Sequence, residues 1–95
     1  MAAYLIVDIK VNDPVRYEEY RQLVSPTLAA YDGKYLARGG EVKVLEGDLA
    51  PNRTVVVEFP TVERALEWWD SDVYRPIRQL RYDSADSKML LVQGI

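Results

Sequence analysis

Between Tyr4 and Val11 the chain alternates, with Leu5, Val7, Ile9 and Val11 on one side and Tyr4, Ile6, Asp8 and Lys10 on the other. A period of two marks a strand with one face in a core. Asn12-Asp13-Pro14 ends that strand and starts a helix, with Asp13 as N-cap and Pro14 at the first helical position, where an N–H would go unused. Tyr17, Tyr20, Leu23 and Val24 recur at helical spacing, which carries the helix to about Val24. Ser25-Pro26 predicts a kink or a restart, with Ser25 capping a further short helix through Tyr31, because proline disfavours the helical conformation in the residue before it. Asp32-Gly33 closes the segment, and Gly33 suits a left-handed C-terminal cap.

A second strand begins over Lys34 to Arg38, meets Gly39-Gly40, and extends again over Glu41 to Glu46, so the pattern predicts one long, bulged strand. Gly47 to Asn52 is turn chemistry, and Arg53 to Phe59 is a Val-rich third strand, which together predict an antiparallel hairpin. Thr61 caps a short helix holding Ala65, Leu66, Trp68 and Trp69. Asp72 caps another, with Val73, Ile77 and Leu80 on one stripe, and Lys88 to Gln93 forms the last strand. The order strand, helix, strand, strand, helix, strand is that of an α+β fold, the ferredoxin-like split βαβ arrangement (βαββαβ) with an antiparallel sheet and helices on one face. One such domain accounts for residues 1–95. Strands with no wholly polar face leave aliphatic side chains on the uncovered side of the sheet, which predicts a homodimer through that sheet face, a dimeric α/β barrel.

Composition narrows the chemistry. The chain has no His and no Cys, which removes imidazole bases, thiol nucleophiles, disulfides and His- or Cys-based metal sites, so neither a metal nor a cofactor is expected. Seven Tyr stand against one Phe, and each buried phenol needs a hydrogen-bond partner. A net charge of −3 offers no general attraction to nucleic acid or to an anionic membrane, and no run approaches membrane-spanning length, so the expectation is a cytoplasmic protein that binds neither.

Five stretches carry a resemblance: Asp13-Pro14 with Tyr17 and Tyr20; Tyr35-Leu36-Ala37-Arg38-Gly39-Gly40; Val44-Leu45-Glu46-Gly47; Val57-Glu58-Phe59-Pro60; and Trp69, Ser71 and Tyr74 with Arg81. In this order, over nearly the whole chain, the sequence resembles the bacterial family of domains of unknown function numbered 1330 (DUF1330). One departure is Asp32-Gly33, where the family pattern has a glycine pair. The resemblance implies the dimeric α/β barrel superfamily, in agreement with the element order, and implies no activity.

Candidate site residues follow from chemistry. Arg38 at a strand end, running into Gly39 and Gly40, offers a fork of donors beside a backbone that lets a ligand approach. Tyr74, Arg78 and Arg81 share a helix face, and with Trp69 and Tyr20 they could join Arg38 around a small carboxylate-bearing ligand. Asp8, Glu46 and Glu58 are the candidate general bases if one faces a sheltered cavity. Two function classes fit. One is a cofactor-independent monooxygenase or isomerase of a small aromatic or acidic metabolite, as occurs in the wider superfamily; the other is a non-catalytic ligand-binding or assembly module.

Overall fold

The alternation in β1 (Ala3–Val11) decides the layering: Ala3, Leu5, Val7 and Ile9 are buried beneath the helices, while Ile6 and Lys10 on the opposite face are exposed. The computed structural model describes residues 1–95. After β1 come α1 (Pro14–Ala30), β2 (Lys34–Arg38), β3 (Arg53–Phe59), α2 (Val62–Trp69), α3 (Arg75–Ser84) and β4 (Ala85–Gln93). The four strands form one antiparallel sheet in the order β2-β3-β1-β4. This is the ferredoxin-like arrangement expected from the element order. Val55, Val57 and Phe59 of β3 join the β1 residues in the core, and Tyr17, Tyr20, Val24 and Leu28 of α1 cover them together with Trp68 and Tyr74.

Local chemistry explains the element ends. The Asp13 carboxylate accepts from the Arg16 N–H at 3.2 Å and Thr61 Oγ1 accepts from the Arg64 N–H at 3.0 Å, so both act as N-caps. Asp72 does not. The hydroxyl of Ser71 accepts from the Tyr74 N–H at 3.2 Å and donates to the Trp68 carbonyl at 2.7 Å, which links α2 to the turn that opens α3. The helix proper starts only at Arg75, so Val73 lies before it and is exposed.

α1 also runs unbroken through Pro26, where a restart was expected. The missing N–H at Pro26 falls on an exposed side of the helix, and burial of Val24, Thr27 and Leu28 around it holds the helix together. Leu23, expected in the apolar stripe, is exposed. At the helix end the left-handed residue is Asp32, with φ of 64°, and not Gly33. Gly33 answers a different need: a Cβ there would stand 3.0 Å from Phe59 Cε1 and 3.1 Å from the Leu28 carbonyl oxygen.

The largest difference concerns residues 41–52. The alternating Glu41–Glu46 segment forms no strand, and from Gly39 to Ala50 the chain is an exposed arm between β2 and β3. Two features splay it from the sheet. Gly39, after donating its N–H to the Thr54 carbonyl at 2.8 Å, turns the chain away with φ of 73°. At the other end the Asp8 carboxylate accepts from the Asn52 N–H at 2.7 Å and from Asn52 Nδ2 at 3.3 Å, which fixes where β3 begins.

Candidate functional site

A cleft lies between α1 and the sheet, walled by Leu5, Val7, Ile9, Val55 and Val57 from the strands and by Tyr17, Tyr20, Val24 and Leu28 from the helix. It encloses about 440 Å³ between atoms, part of it open to solvent. The space left free inside it is about 40 Å³, so a ring would fit only if side chains at the mouth moved. Three arginines line the cleft: Arg21, Arg38 and Arg53. Arg21 is paired with Glu18 on the helix surface at 3.2 Å. Neither Arg38 nor Arg53 has a carboxylate partner.

Strand register aims both of these inward. Arg38 lies opposite Val55 across the β2/β3 pair, after an irregularity at Leu36 that shifts the pairing by one residue. Because Val55 faces the helices, so does Arg38. Its guanidinium sits 4.5 Å from the centroid of Tyr35, and Nη2 donates to the Arg21 carbonyl at 3.3 Å. Arg53 lies opposite Ile9, another helix-facing residue. Its guanidinium is 6.0 Å from the Tyr17 ring centroid, and its Nε is buried with no hydrogen-bond partner. Gly39 makes room for it, since a Cβ at Gly39 would be 2.7 Å from Arg53 Cζ. Gly40 has nothing within 4 Å of where its Cβ would be.

The remaining sequence candidates form a second cluster. Tyr20 lines the cleft, and its hydroxyl meets that of Tyr74 at 3.1 Å in the interior. Burial first, and then the neighbouring Tyr74, hold the Tyr20 phenol well above its usual pKa, so it is protonated across the neutral range. Tyr74 is fully buried, and its ring lies 4.0 Å from that of Trp68. Trp68 in turn donates its indole N–H to Thr27 Oγ1 at 3.0 Å. Arg81 is 2 % exposed; Nη1 donates to Ser87 Oγ and Nε has no partner. Burial disfavours the Arg81 charge, but the facing Tyr74 and Tyr20 outweigh it and raise the pKa. Arg81 and Trp69 line a separate depression between α3 and β4 with Tyr82, Asp86 and Ser87. Arg78 stacks on Trp69 at 4.3 Å and donates to its carbonyl at 3.2 Å.

The structure therefore divides the expected single pocket. Arg38 and Tyr20 line the α1 cleft, with Gly39 against Arg53 at its edge; Trp69 and Arg81 line the depression between α3 and β4, with Arg78 stacked on Trp69; Gly40 lines neither. The candidate general bases are absent from the cleft. Asp8 is occupied by Asn52, Glu46 is on the exposed arm, and Glu58 points to the open face, opposite Tyr4 and Lys34. Arg53 was not among the sequence candidates. Its signal was the register itself, because a cation at the same parity as Val55, Val57 and Phe59 faces the core. No group of three or more Asp or Glu residues is placed to hold a metal ion. No helix is long and apolar enough to cross a membrane.

Comparison with known proteins agrees with this picture of the fold. A family model described as a domain of unknown function, DUF1330, matches residues 2–95. No protein of curated function matches. Among solved structures, the RPA0582 protein of unknown function from Rhodopseudomonas palustris superposes with a TM-score of 0.81 at 18 % identity, over 99 % of this chain and 82 % of that one. SnoaB, a cofactor-independent oxygenase from Streptomyces nogalater, superposes with a TM-score of 0.69 at 11 % identity, over 99 % and 93 % of the two chains. A conserved protein from Methanosarcina mazei Go1 gives 0.59 at 15 % identity, over 100 % and 95 %. These superpositions show a shared fold.

Proposed function

This chain belongs to the DUF1330 family, and from the cleft it carries we propose that it binds a small organic acid, with an apolar and preferably aromatic body between α1 and the sheet and the carboxylate between Arg38 and Arg53. The observation that carries this reading is Arg53. A half-buried guanidinium set against an apolar cleft, with a buried Nε that no protein group satisfies and a glycine at φ of 73° clearing space for it, is suited to an anion. Tyr17 and Tyr35 flank the two arginines and supply flat walls for a ring.

The cleft has no carboxylate among its lining residues, so a reaction performed there draws on stabilisation of a substrate anion by Tyr and Arg and not on a carboxylate base. That is compatible with cofactor-independent oxygenation or isomerisation of an acidic aromatic, and the SnoaB likeness supports this choice over other chemistries.

We also propose that the protein is a homodimer through the open sheet face. Ile6 lies between Val56 and Leu90 on that face, and Leu90 is 57 % exposed in the single chain. The same face, with the exposed Val42, Val44 and Leu45 of the arm, favours the second reading, an assembly module.

Thermal-shift titration with benzoate and short aliphatic acids tests the first proposal. A ligand at a hundred times its dissociation constant adds about 2.7 kcal/mol of stability. Wild type should respond to acids and not to the matching amides. Arg53→Met should lose the response while melting at the same temperature or higher, because it removes a buried guanidinium nitrogen that has no partner. An unchanged response in Arg53→Met would refute the site. Solution mass tests the dimer: Ile6→Lys should convert it to a folded monomer, and a wild type that is already monomeric would refute the interface.

A further inference from the structure

The sheet ends at β4, which leaves one side of that strand unpaired. In the β1/β4 register Gln93 lies opposite Ala3, and one residue further on the Gly94 N–H donates to the Ala2 carbonyl at 2.7 Å. Bonded and unbonded pairs alternate along an antiparallel ladder, so the even-numbered residues of β4 bond to β1, while Ser87, Met89 and Leu91 turn their N–H and C=O groups to the open edge. Two hollows that share Trp69 and Met89 lie beside this edge. One, of about 190 Å³, is wholly apolar and includes Leu66 and Leu91; the other, of about 390 Å³, is the depression of Arg81 and Ser87. Arg81 is 2 % exposed, donates only to Ser87 Oγ and has no carboxylate partner; Asp86 lines the depression without pairing with it. An open ladder beside an apolar groove that ends at a buried guanidinium fits a further strand carrying apolar residues and then an acid. The arm of this chain has that pattern. Val42 to Glu46 alternates, its valines are exposed, and it forms no strand in the single chain.

We propose that the arm of a second copy of this chain pairs antiparallel with β4, its Glu46 opposite Ser87, and that this Glu46 is the counter-ion of Arg81. The proposal rests on the homodimer reading above. In this register Val44 lies opposite Met89 and Val42 opposite Leu91, so both valines enter the apolar hollow, and Glu46 falls beside the hydroxyl to which Arg81 Nη1 donates. Neighbouring registers fail. A slip of two residues one way sets Lys43 against Lys88, and a slip the other way puts Glu46 opposite Met89 in the apolar hollow. The sheet supplies the direction as well. β2 and β4 are its opposite edges and run in opposite directions. A two-fold axis along the strands stacks the two open faces, lays the β2 edge of one copy over the β4 edge of the other and keeps strand direction unchanged. An arm that leaves β2 in that strand's direction therefore meets the other copy's β4 antiparallel, and the Arg81 depression is complete only in the dimer.

Disulfide trapping tests the register, because the chain has no cysteine of its own. Leu45 and Lys88, both exposed, would face each other in an unbonded pair, where Cα atoms stand about 4.5 Å apart, within reach of a disulfide. Oxidised Leu45→Cys/Lys88→Cys should run as a covalent dimer on a non-reducing gel, whereas Leu45→Cys combined with Asp86→Cys or with Leu90→Cys should give far less. Sedimentation tests the ion pair: Glu46→Gln should raise the dimer dissociation constant on the order of tenfold or more, the worth of a hydrogen bond between charged groups. The same change in an Arg81→Met background should have no effect; should Arg81→Met not fold, the trapping and the single Glu46→Gln variant decide. A wild-type dimer that gives no covalent product with the 45/88 pair overturns the docking of the arm and leaves the sheet-face dimer standing. Unchanged dimerisation in Glu46→Gln overturns the ion pair and leaves Arg81 to a small free anion. A monomeric wild type overturns this proposal and the dimer it rests on together.

Discussion

Gly39 and Gly40 are adjacent and identical in chemistry, but the geometry assigns them opposite sensitivities. Gly39→Ala puts a methyl group 2.7 Å from Arg53 Cζ on a residue with φ of 73°. The left-handed conformation costs an L-residue roughly 1–2 kcal/mol. Loss of glycine's freedom in the unfolded chain returns about 0.4–1 kcal/mol, so the net strain is on the order of 1 kcal/mol. The clash itself is with the end of a flexible side chain, and Arg53 relieves it by swinging away from the cleft mouth, which removes one of the two carboxylate donors. Gly40→Ala meets nothing within 4 Å and has no unusual φ. Urea unfolding should therefore show Gly39→Ala destabilised by about 1 kcal/mol, equivalent to roughly 4–8 °C in a domain of this size, and Gly40→Ala within about 0.5 kcal/mol of wild type. Calorimetric titration with benzoate should show at least a tenfold loss of affinity in Gly39→Ala, the worth of a charge-assisted hydrogen bond, and none in Gly40→Ala. Equal affinities in the two variants would refute the placement of Arg53 at the ligand, whatever the stabilities.

Ser71→Ala removes the hydroxyl that joins the Trp68 carbonyl to the Tyr74 N–H, and should cost about 1 kcal/mol, as loss of a helix cap does, whereas Asp72→Ala should change the urea midpoint little because Asp72 makes only an exposed pair with Arg75. Tyr20 makes stability pH-dependent at the alkaline end. Its folded pKa lies above the unfolded value near 10, so its contribution is fully present below about pH 10 and is lost as pH rises from there towards the folded pKa. Urea midpoints measured from pH 8 to 11 should fall more steeply in wild type than in Tyr20→Phe, and parallel curves would show that the phenol ionises equally easily in both states.

Element order, caps and strand parity were legible from the chain because each is local. Asp13-Pro14 and Thr61 place two helix starts with side chains that reach a backbone N–H three residues on, and the structure uses both. The alternation in β1 assigns its buried face without reference to any other strand. What could not be read depended on distant partners. Glu41–Glu46 has a strand pattern, but a strand exists only beside another, and Asp8, more than forty residues away, sets where β3 starts. Likewise Gly33 looks like a helix cap until Phe59 is brought against it. The candidate site divided for the same reason. Helical spacing put Tyr74, Arg78 and Arg81 on one face, but it gave no distance from that face to Arg38, and Arg38 and Arg81 line different depressions. Arg53 was hidden by its residue type, since an arginine at a strand start is ordinarily solvated, and only the pairing opposite Ile9 shows that it faces inward.

The two arginines with unsatisfied Nε atoms give the clearest guide to what the fold is for. The chain carries 15 acidic residues and a net charge of −3, so counter-ions for Arg53 and Arg81 were available in its composition. The ion pairs that do form use Arg16, Arg21, Arg64 and Arg75 on the surface, where each is worth little. Arg53 and Arg81, each with a buried Nε that no protein group satisfies, are left without one. A core selected for stability alone would exchange either for a methionine or leucine of similar volume, at little cost or with a gain. Arg53 bears directly on an apolar cleft that contains no acid of its own, while Arg81 lines the separate depression between α3 and β4. An acidic occupant of the cleft would balance Arg53, and the uncompensated guanidinium would then be the source of its selectivity for anions.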